Sequence, residues 1–292
     1  MLILPNGNNL ISYCLKGARR KLILRLVELG KNSWVFEEST ISHEIEMEFD
    51  RAVDLWHAKQ IEMAEHVFHH VIAECPNHID AIHHLSIMYD GIGRSIEAYL
   101  CCRAAVGIGL QAIPEKRFSW KKSKLEWRLG NRPFMRAYHN LGLKHLYRNE
   151  YEEAIEIFER LLSVNPNDDQ GLRYLLPLCW FATDEPSKIV VHCQSYPDDS
   201  APEILYSHTL ALVLTNQNSL AREVMVQAVG QLPLVAKELL EKRCLRLRDA
   251  TPENVIHGGN DQAYSYGQQF GQYWLNSDAA IELLTQTVNA DY

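Results

Sequence analysis

From Met135 to Asp168 apolar residues recur at helical spacing, and the stretch reads as one helix-turn-helix unit with its packing positions filled. Gly142 and Ala154 are small where two helices would cross closely, Leu141 and Phe158 fill the space between them, and Pro166 stops the second helix. Ala64, Phe68 and Pro76 repeat the spacing of Ala154, Phe158 and Pro166, which marks a degenerate unit at 45–78. Ile82, Leu85, Ser86, Tyr89, Ala98 and Ala105 continue the same frame over 79–112, with Gly93 in the inter-helix turn and Cys102 in the Phe position. Looser units follow at 169–201, through Leu172, Leu175, Leu176, Ile189 and Val190, and at 202–234, through Leu210, Ala221, Met225, Ala228 and Pro233.

Outside this frame the pattern predicts covering helices. Leu10, Ile11, Leu15, Leu22, Ile23, Leu26 and Val27 predict a helix over 9–29 that Gly30 ends, within an N-terminal capping region 1–44. Beyond residue 235 the period is lost. A charged helix over 235–248, a Thr251-Pro252-Glu253 helix start, a Gly258-Gly259 turn and helices near 261–275 and 278–289 would cap the far end, 235–292.

Pro76 and Pro166 stand 90 residues apart, 22 more than two 34-residue units, which places an insertion at 113–134. Pro114 suits a first helical turn and Gly130 a C-terminal stop, so the insertion is expected to be an extra helix. It carries +5 while the rest of the chain carries −13. Lys116, Arg117, Lys121, Lys122, Lys124 and Arg128 are interleaved with Trp120 and Trp127, a mixture able to stack on bases or neutralise phosphate. The competing expectation is that Phe118, Leu125 and Leu129 dock on the array while the lysines stay solvated.

Tyr138, Leu141, Gly142, Ala154, Phe158 and Pro166 stand at the positions of the tetratricopeptide repeat (TPR) pattern, with His145 in place of its usual Tyr. The chain therefore resembles the TPR family over 45–234. The stretches NRPFMRAYHNLG, NPNDDQGLRYLL and GGNDQAYSYGQQFGQYW are similar to a bacterial and suppressor-of-tumorigenicity-type subgroup. The resemblance implies an all-α, right-handed superhelical solenoid with N- and C-terminal capping helices, and a concave groove for a partner's peptide or helix. Groove positions of such repeats map onto Asp80, His83, His84 and Asp90, then Arg136, His139, Asn140 and Tyr147, then Gln170, Arg173, Tyr174, Trp180 and Phe181. Phe49 and Val53 stand where the clamp of a chaperone-binding TPR domain would begin, which argues against that role.

Composition narrows the function. A net charge of −8 argues against bulk nucleic-acid binding by the chain as a whole, and no apolar run reaches membrane-spanning length. The basic cluster of the N-terminal stretch follows its apolar start, the reverse of a secretory signal. Seven cysteines without Cys-x2-Cys spacing suit reduced thiols in a cytoplasmic protein. His57, His66, His69, His70, His78, His83 and His84 cluster within 28 residues, and His66 with His70, one helical turn apart, could chelate a metal with His83. No His-Glu-x2-His arrangement completes them. Gly107-Ile108-Gly109-Leu110-Gln111-Ala112 imitates a dinucleotide fingerprint but ends a predicted helix with no strand before it. The expectation is a non-enzymatic protein-interaction scaffold without cofactor or resident metal. Its alternatives are a metal or catalytic protein built on the His57–His84 cluster, or an anionic-ligand binder built on the insertion.

Overall fold

A left-handed residue closes the turn inside each of five helix pairs, and the same two hydrogen bonds surround it every time. In the computed structural model, which describes residues 24–38, 41–241 and 256–290, the chain divides into two compact units, Met1–Gln170 and Gly171–Tyr292. The first unit holds the pairs α1 (His43–His57) with α2 (Ile61–Glu74), α3 (Ile79–Gly91) with α4 (Ser95–Ala112), and α5 (Arg132–Tyr147) with α6 (Tyr151–Val164). Their turns place Lys59, Gly93 and Asn149 at φ of 59°, 78° and 59°. The following N–H reaches the carbonyl five residues back: Gln60 to Leu55 at 2.9 Å, Arg94 to Tyr89 at 2.8 Å, Glu150 to His145 at 2.9 Å. The left-handed residue itself donates three residues back, so each first helix ends in a Schellman motif that satisfies its last carbonyls and reverses the chain.

Packing within the unit follows from the small and large residues of the period. Ala64, Phe68, Ala98, Cys102, Ala154 and Phe158 expose no surface. A Cβ on Gly142 would lie 2.4 Å from Phe158 Cε1, and one on Gly109 would lie 2.1 Å from Phe134 Cδ2, so both glycines are where helices touch closely. The Gly107–Gly109 stretch is thus helix interior, as its lack of a preceding strand indicated. First helices also pack on first helices, α1 on α3 and α3 on α5, which brings their groove-position residues onto neighbouring faces.

Two expectations are corrected in this unit. Residues 24–29, taken as the end of a helix over 9–29, form strand β1 (Leu24–Gly30), paired antiparallel with β2 (Ser33–Glu38). Leu24 and Leu26 alternate with more exposed neighbours, as do Trp34 and Phe36, and all four are buried, a period of two that the leucine spacing obscured. Lys31 and Asn32 take φ of 50° and 62°, the primed turn that suits a tight hairpin. The part of that helix before residue 24 lies outside the described residues.

The insertion 113–134 is also not a helix: before α5 begins at Arg132 it runs as turns and extended chain. Its backbone finds partners elsewhere, which removes the need for a helix. Lys124 N–H donates to Asn32 at 2.7 Å, its carbonyl accepts from Trp34 at 2.9 Å, and Leu125 N–H donates to Val164 at 2.8 Å. Asn131, fully buried, accepts from Phe36 N–H at 3.0 Å and donates to the carbonyls of Trp34 and Glu126 at 3.0 and 2.9 Å. Phe118 and Leu125 are buried as the docking expectation required, but Leu129 is 80% exposed.

In the second unit a short 3-10 turn (Leu172–Tyr174) leads into α7 (Leu176–Ala182) with α8 (Pro186–Gln194), and α9 (Pro202–Leu214) with α10 (Asn218–Gln231). Asp184 and Asn216 repeat the left-handed turn, with Glu185 bonded to Trp180 and Gln217 to Leu212, each at 2.8 Å. Among the described residues three further helices follow: α11 (Pro233–Leu240), α12 (Asn260–Leu275) and α13 (Asp278–Ala290). Helix α9 is apolar nearly all round because α7, α8, α10, α12 and α13 surround it. Tyr266 is held by Trp274 Nε1, which donates to its hydroxyl at 3.1 Å, and stacks on Phe270 at 4.6 Å. The last two helices lie where the sequence put them. The rest of the helix expected over 235–248, and the Thr251-Pro252-Glu253 start, lie outside the described residues.

Candidate functional site

The groove-position residues of the first unit meet where α3 lies against α5. His78 opens α3 by accepting the Ala81 N–H on Nδ1 at 3.2 Å, which sets the first turn and the direction of Asp80. Asp80 accepts from Arg136 on both carboxylate oxygens, at 2.9 and 2.6 Å. Near the other end of the two helices Lys144 pairs with Asp90. These two ion pairs cross-link α3 and α5 and bracket what lies between them.

Between them is a row of side chains whose hydrogen-bonding capacity is unused. Both ring nitrogens of His83 are buried without partners, as are Arg136 Nε, His139 Nε2 and Asn140 Nδ2. Native interiors pair nearly all such groups, since a lone one costs about 1–3 kcal/mol. Burial lowers the pKa of His83 to about 3, helped by repulsion from His84, Arg136, Lys144 and His139 wherever these carry a proton. Burial alone lowers His139 to about 4. Both imidazoles are therefore neutral at pH 7, and each offers one N–H donor and one lone pair. Such a set can bind the alternating N–H and C=O groups of an extended chain. Tyr147, at the end of the same face, is 80% exposed.

The groove residues of the second unit are differently occupied. Arg173 Nε donates to Asp199 at 2.7 Å, its Nη2 lies 2.6 Å from the Tyr174 hydroxyl, and that hydroxyl donates to Asp199 at 2.9 Å. The guanidinium also stacks on Tyr174 and Tyr196 at 4.5 and 5.4 Å. Burial raises the Asp199 pKa, but the Ala201 N–H, Arg173 and Tyr174 outweigh it and hold the carboxyl below its usual value. Tyr174 and Asp199 line one side of a cleft of about 400 Å³ that Glu203, His257 and Gln262 complete. Trp180 is buried edge-on against His192, with ring centroids 5.0 Å apart. Asp199 was missed by sequence reasoning because it sits between helices, outside any repeat position. Its placement three residues before Pro202, which opens α9, was the available signal.

In the basic stretch Lys116, Arg117, Lys121, Lys122, Lys124 and Arg128 are exposed, whereas the aromatic groups are used for packing. Trp120 lies against Phe118 and Tyr138 at 5.2 and 5.9 Å, and Trp127 carries Arg132 over its ring at 5.6 Å. Arg117 pairs with Glu28 at 3.0 Å and Arg128 with Glu126 at 2.6 Å. Both rings thus have intramolecular partners while remaining half-buried.

Part of the histidine cluster is dispersed. His66 and His70 lie exposed on α2, His69 meets the Tyr89 hydroxyl at 3.1 Å, and His78 caps α3. Cys75, Cys101, Cys102, Cys179 and Cys193 are buried, and burial pushes the thiols of Cys102, Cys179 and Cys193 up to about 12, so they stay protonated at neutral pH. Cys14 and Cys244 lie outside the described residues. Among the described residues no helix is long and apolar enough to cross a membrane.

Residues 135–168 match the family model described as tetratricopeptide repeat. Together with the recurring helix pairs, this gives the chain an all-α fold of TPR type. Similar solved structures include the MamA protein, 17% identical, with 71% of this chain and 98% of that one covered at a TM-score of 0.47. Another is a Podosopora anserina putative kinesin light chain with nearly identical TPR-like repeats, 15% identical, covering 65% of this chain and 96% of that one at a TM-score of 0.44. A third is Naa15/Naa10 bound to HypK-THB, 13% identical, covering 85% of this chain and 34% of that one at a TM-score of 0.44. A search of curated proteins finds no match.

Proposed function

We propose that this chain is a non-catalytic interaction scaffold that holds an extended segment of a protein partner along α3 and α5. The observation that carries this reading is the row of buried, unpartnered groups on His83, Arg136, His139 and Asn140, set between two ion pairs. A peptide backbone supplies both donors and acceptors in alternation, so a bound strand would repay the desolvation already incurred there. Arg173 and Tyr174 form a second contact region on the other unit, and the buried free thiols of Cys102, Cys179 and Cys193 fit a reducing compartment such as the cytoplasm. The subgroup resemblance is part of the same proposal.

The test is selection of binders from a random peptide library on the wild-type chain. Selected peptides should bind a His139→Leu/Asn140→Leu variant at least about tenfold more weakly, the loss of roughly 1.4 kcal/mol of hydrogen bonding. They should bind a Lys121→Glu/Lys122→Glu variant as tightly as wild type. Reversal of those two responses would move the working surface to the basic stretch.

A further inference from the structure

We propose that Asp80, His83 and His84, on the first turns of α3, form a binding site for a divalent first-row transition-metal ion such as Zn²⁺. One carboxylate oxygen and one nitrogen from each imidazole lie within 4.8 Å of one another, the one such grouping of three among the described residues. Ligand atoms around a four-coordinate ion with bonds of about 2.0–2.1 Å stand about 3.3 Å apart. Closing that gap takes side-chain rotation and no movement of the helix.

The residue types and their spacing suit the ion. Asp80 and His84 are one helical turn apart, and His83 adds a third donor beside them. His84 is already turned onto its own helix, with Nδ1 2.8 Å from the Asp80 carbonyl and 3.8 Å from the Asp80 carboxylate. Phe49 lies edge-on to its ring at 5.2 Å, which limits its freedom. His83 supplies the independent observation: it is 4% exposed, and neither of its ring nitrogens has a partner. A buried imidazole with nothing to bond and a carboxylate within reach is what a metal-free ligand set looks like. Two imidazoles and one carboxylate select zinc, cobalt or nickel over magnesium and calcium, which take oxygen donors. Three protein ligands leave at least one coordination position open. Arg136 bonds both Asp80 oxygens; with the ion bound, one oxygen turns to the metal and the other keeps the guanidinium as an outer partner.

This site is separate from the pair His66 and His70 on α2, whose exposed rings provide the control. The experiment is calorimetric titration of the full chain with Zn²⁺ alone, paired with Co²⁺ absorption to read the coordination. Wild type should bind one ion per chain. His83→Gln and His84→Gln should each weaken binding by at least about tenfold, the smallest loss usual when a metal's support is removed, while His66→Ala/His70→Ala binds like wild type. Asp80→Asn is isosteric and keeps an amide oxygen that can accept from Arg136, and it too should weaken binding with unchanged helical circular dichroism. Absence of stoichiometric binding by wild type overturns the proposal, as does binding that survives Asp80→Asn or disappears with His66→Ala/His70→Ala. Because the metal is the probe, this result is independent of whether α3 and α5 also hold a peptide.

Discussion

Replacing Gly142 by Ala tests the closeness of the α5–α6 crossing on which the central repeat depends. The added Cβ would lie 2.4 Å from Phe158 Cε1, 2.9 Å from Phe158 Cδ1 and 3.1 Å from Ile157 Cγ2. Comfortable carbon contacts need about 3.5–4.0 Å, so the Phe158 ring must retreat by about 1 Å. It has nowhere to go, since Phe158 exposes no surface. Overpacking of this kind costs about 1–3 kcal/mol, against which Ala returns up to about 1 kcal/mol of helix propensity. With the full propensity gain the net expectation is a loss of up to about 2 kcal/mol. Gly107→Ala supplies the opposite sign, because a Cβ there meets nothing within 4 Å inside α4 and should gain about 0.5–1 kcal/mol. Urea unfolding followed by helical circular dichroism measures both. A Phe158→Leu background, which frees space, should shrink the Gly142→Ala penalty in a double-mutant cycle. Stabilisation by Gly142→Ala equal to that by Gly107→Ala would refute the close crossing.

Three further outcomes are expected. Asn131→Ala removes three hydrogen bonds at a fully buried position that ties β2 to the stretch before α5, and should cost about 2–4 kcal/mol, read as faster amide exchange across Trp34 and Phe36. His139, with its folded pKa lowered to about 4, contributes stability that is complete above its unfolded pKa near 6.5 and is lost as pH falls toward 4. At about 1.36 kcal/mol per unit, acid should therefore cost wild type up to about 2 kcal/mol more than a His139→Gln variant between pH 7 and 5, measured by urea unfolding at each pH. Asn140→Leu removes a buried donor without a partner, so thermal unfolding should show unchanged or raised stability while selected peptides bind less well.

The helix pairs were legible because their packing depends on local spacing: Gly142, Ala154 and Phe158 have to recur where two helices of fixed length cross. Their Schellman turns were less so, since Lys59, Asn149, Asp184 and Asn216 share a backbone conformation but not a residue type. The hairpin escaped because Leu22, Ile23, Leu26 and Val27 fit a three- and four-residue step while Leu24, Leu26, Trp34 and Phe36 fit a step of two. Only the pairing across Lys31-Asn32 decides between them. The 113–131 stretch escaped for a related reason. Its helix signals at Pro114 and Gly130 are local, but Asn131 and Lys124 bond to a hairpin about 90 residues away in the sequence, and local signals carry no record of such partners. At the candidate site the repeat frame gave the positions of Asp80, His83, Arg136, His139 and Asn140. It did not reveal that Asp80 holds Arg136, or that the groups between them are left without partners.

The measurement closest to the central claim is amide hydrogen exchange of the full chain with and without a library-selected peptide. The account predicts new protection concentrated in α3 and α5, around His83, Arg136, His139 and Asn140. Protection confined to 113–131, with α3 and α5 unchanged, would contradict it.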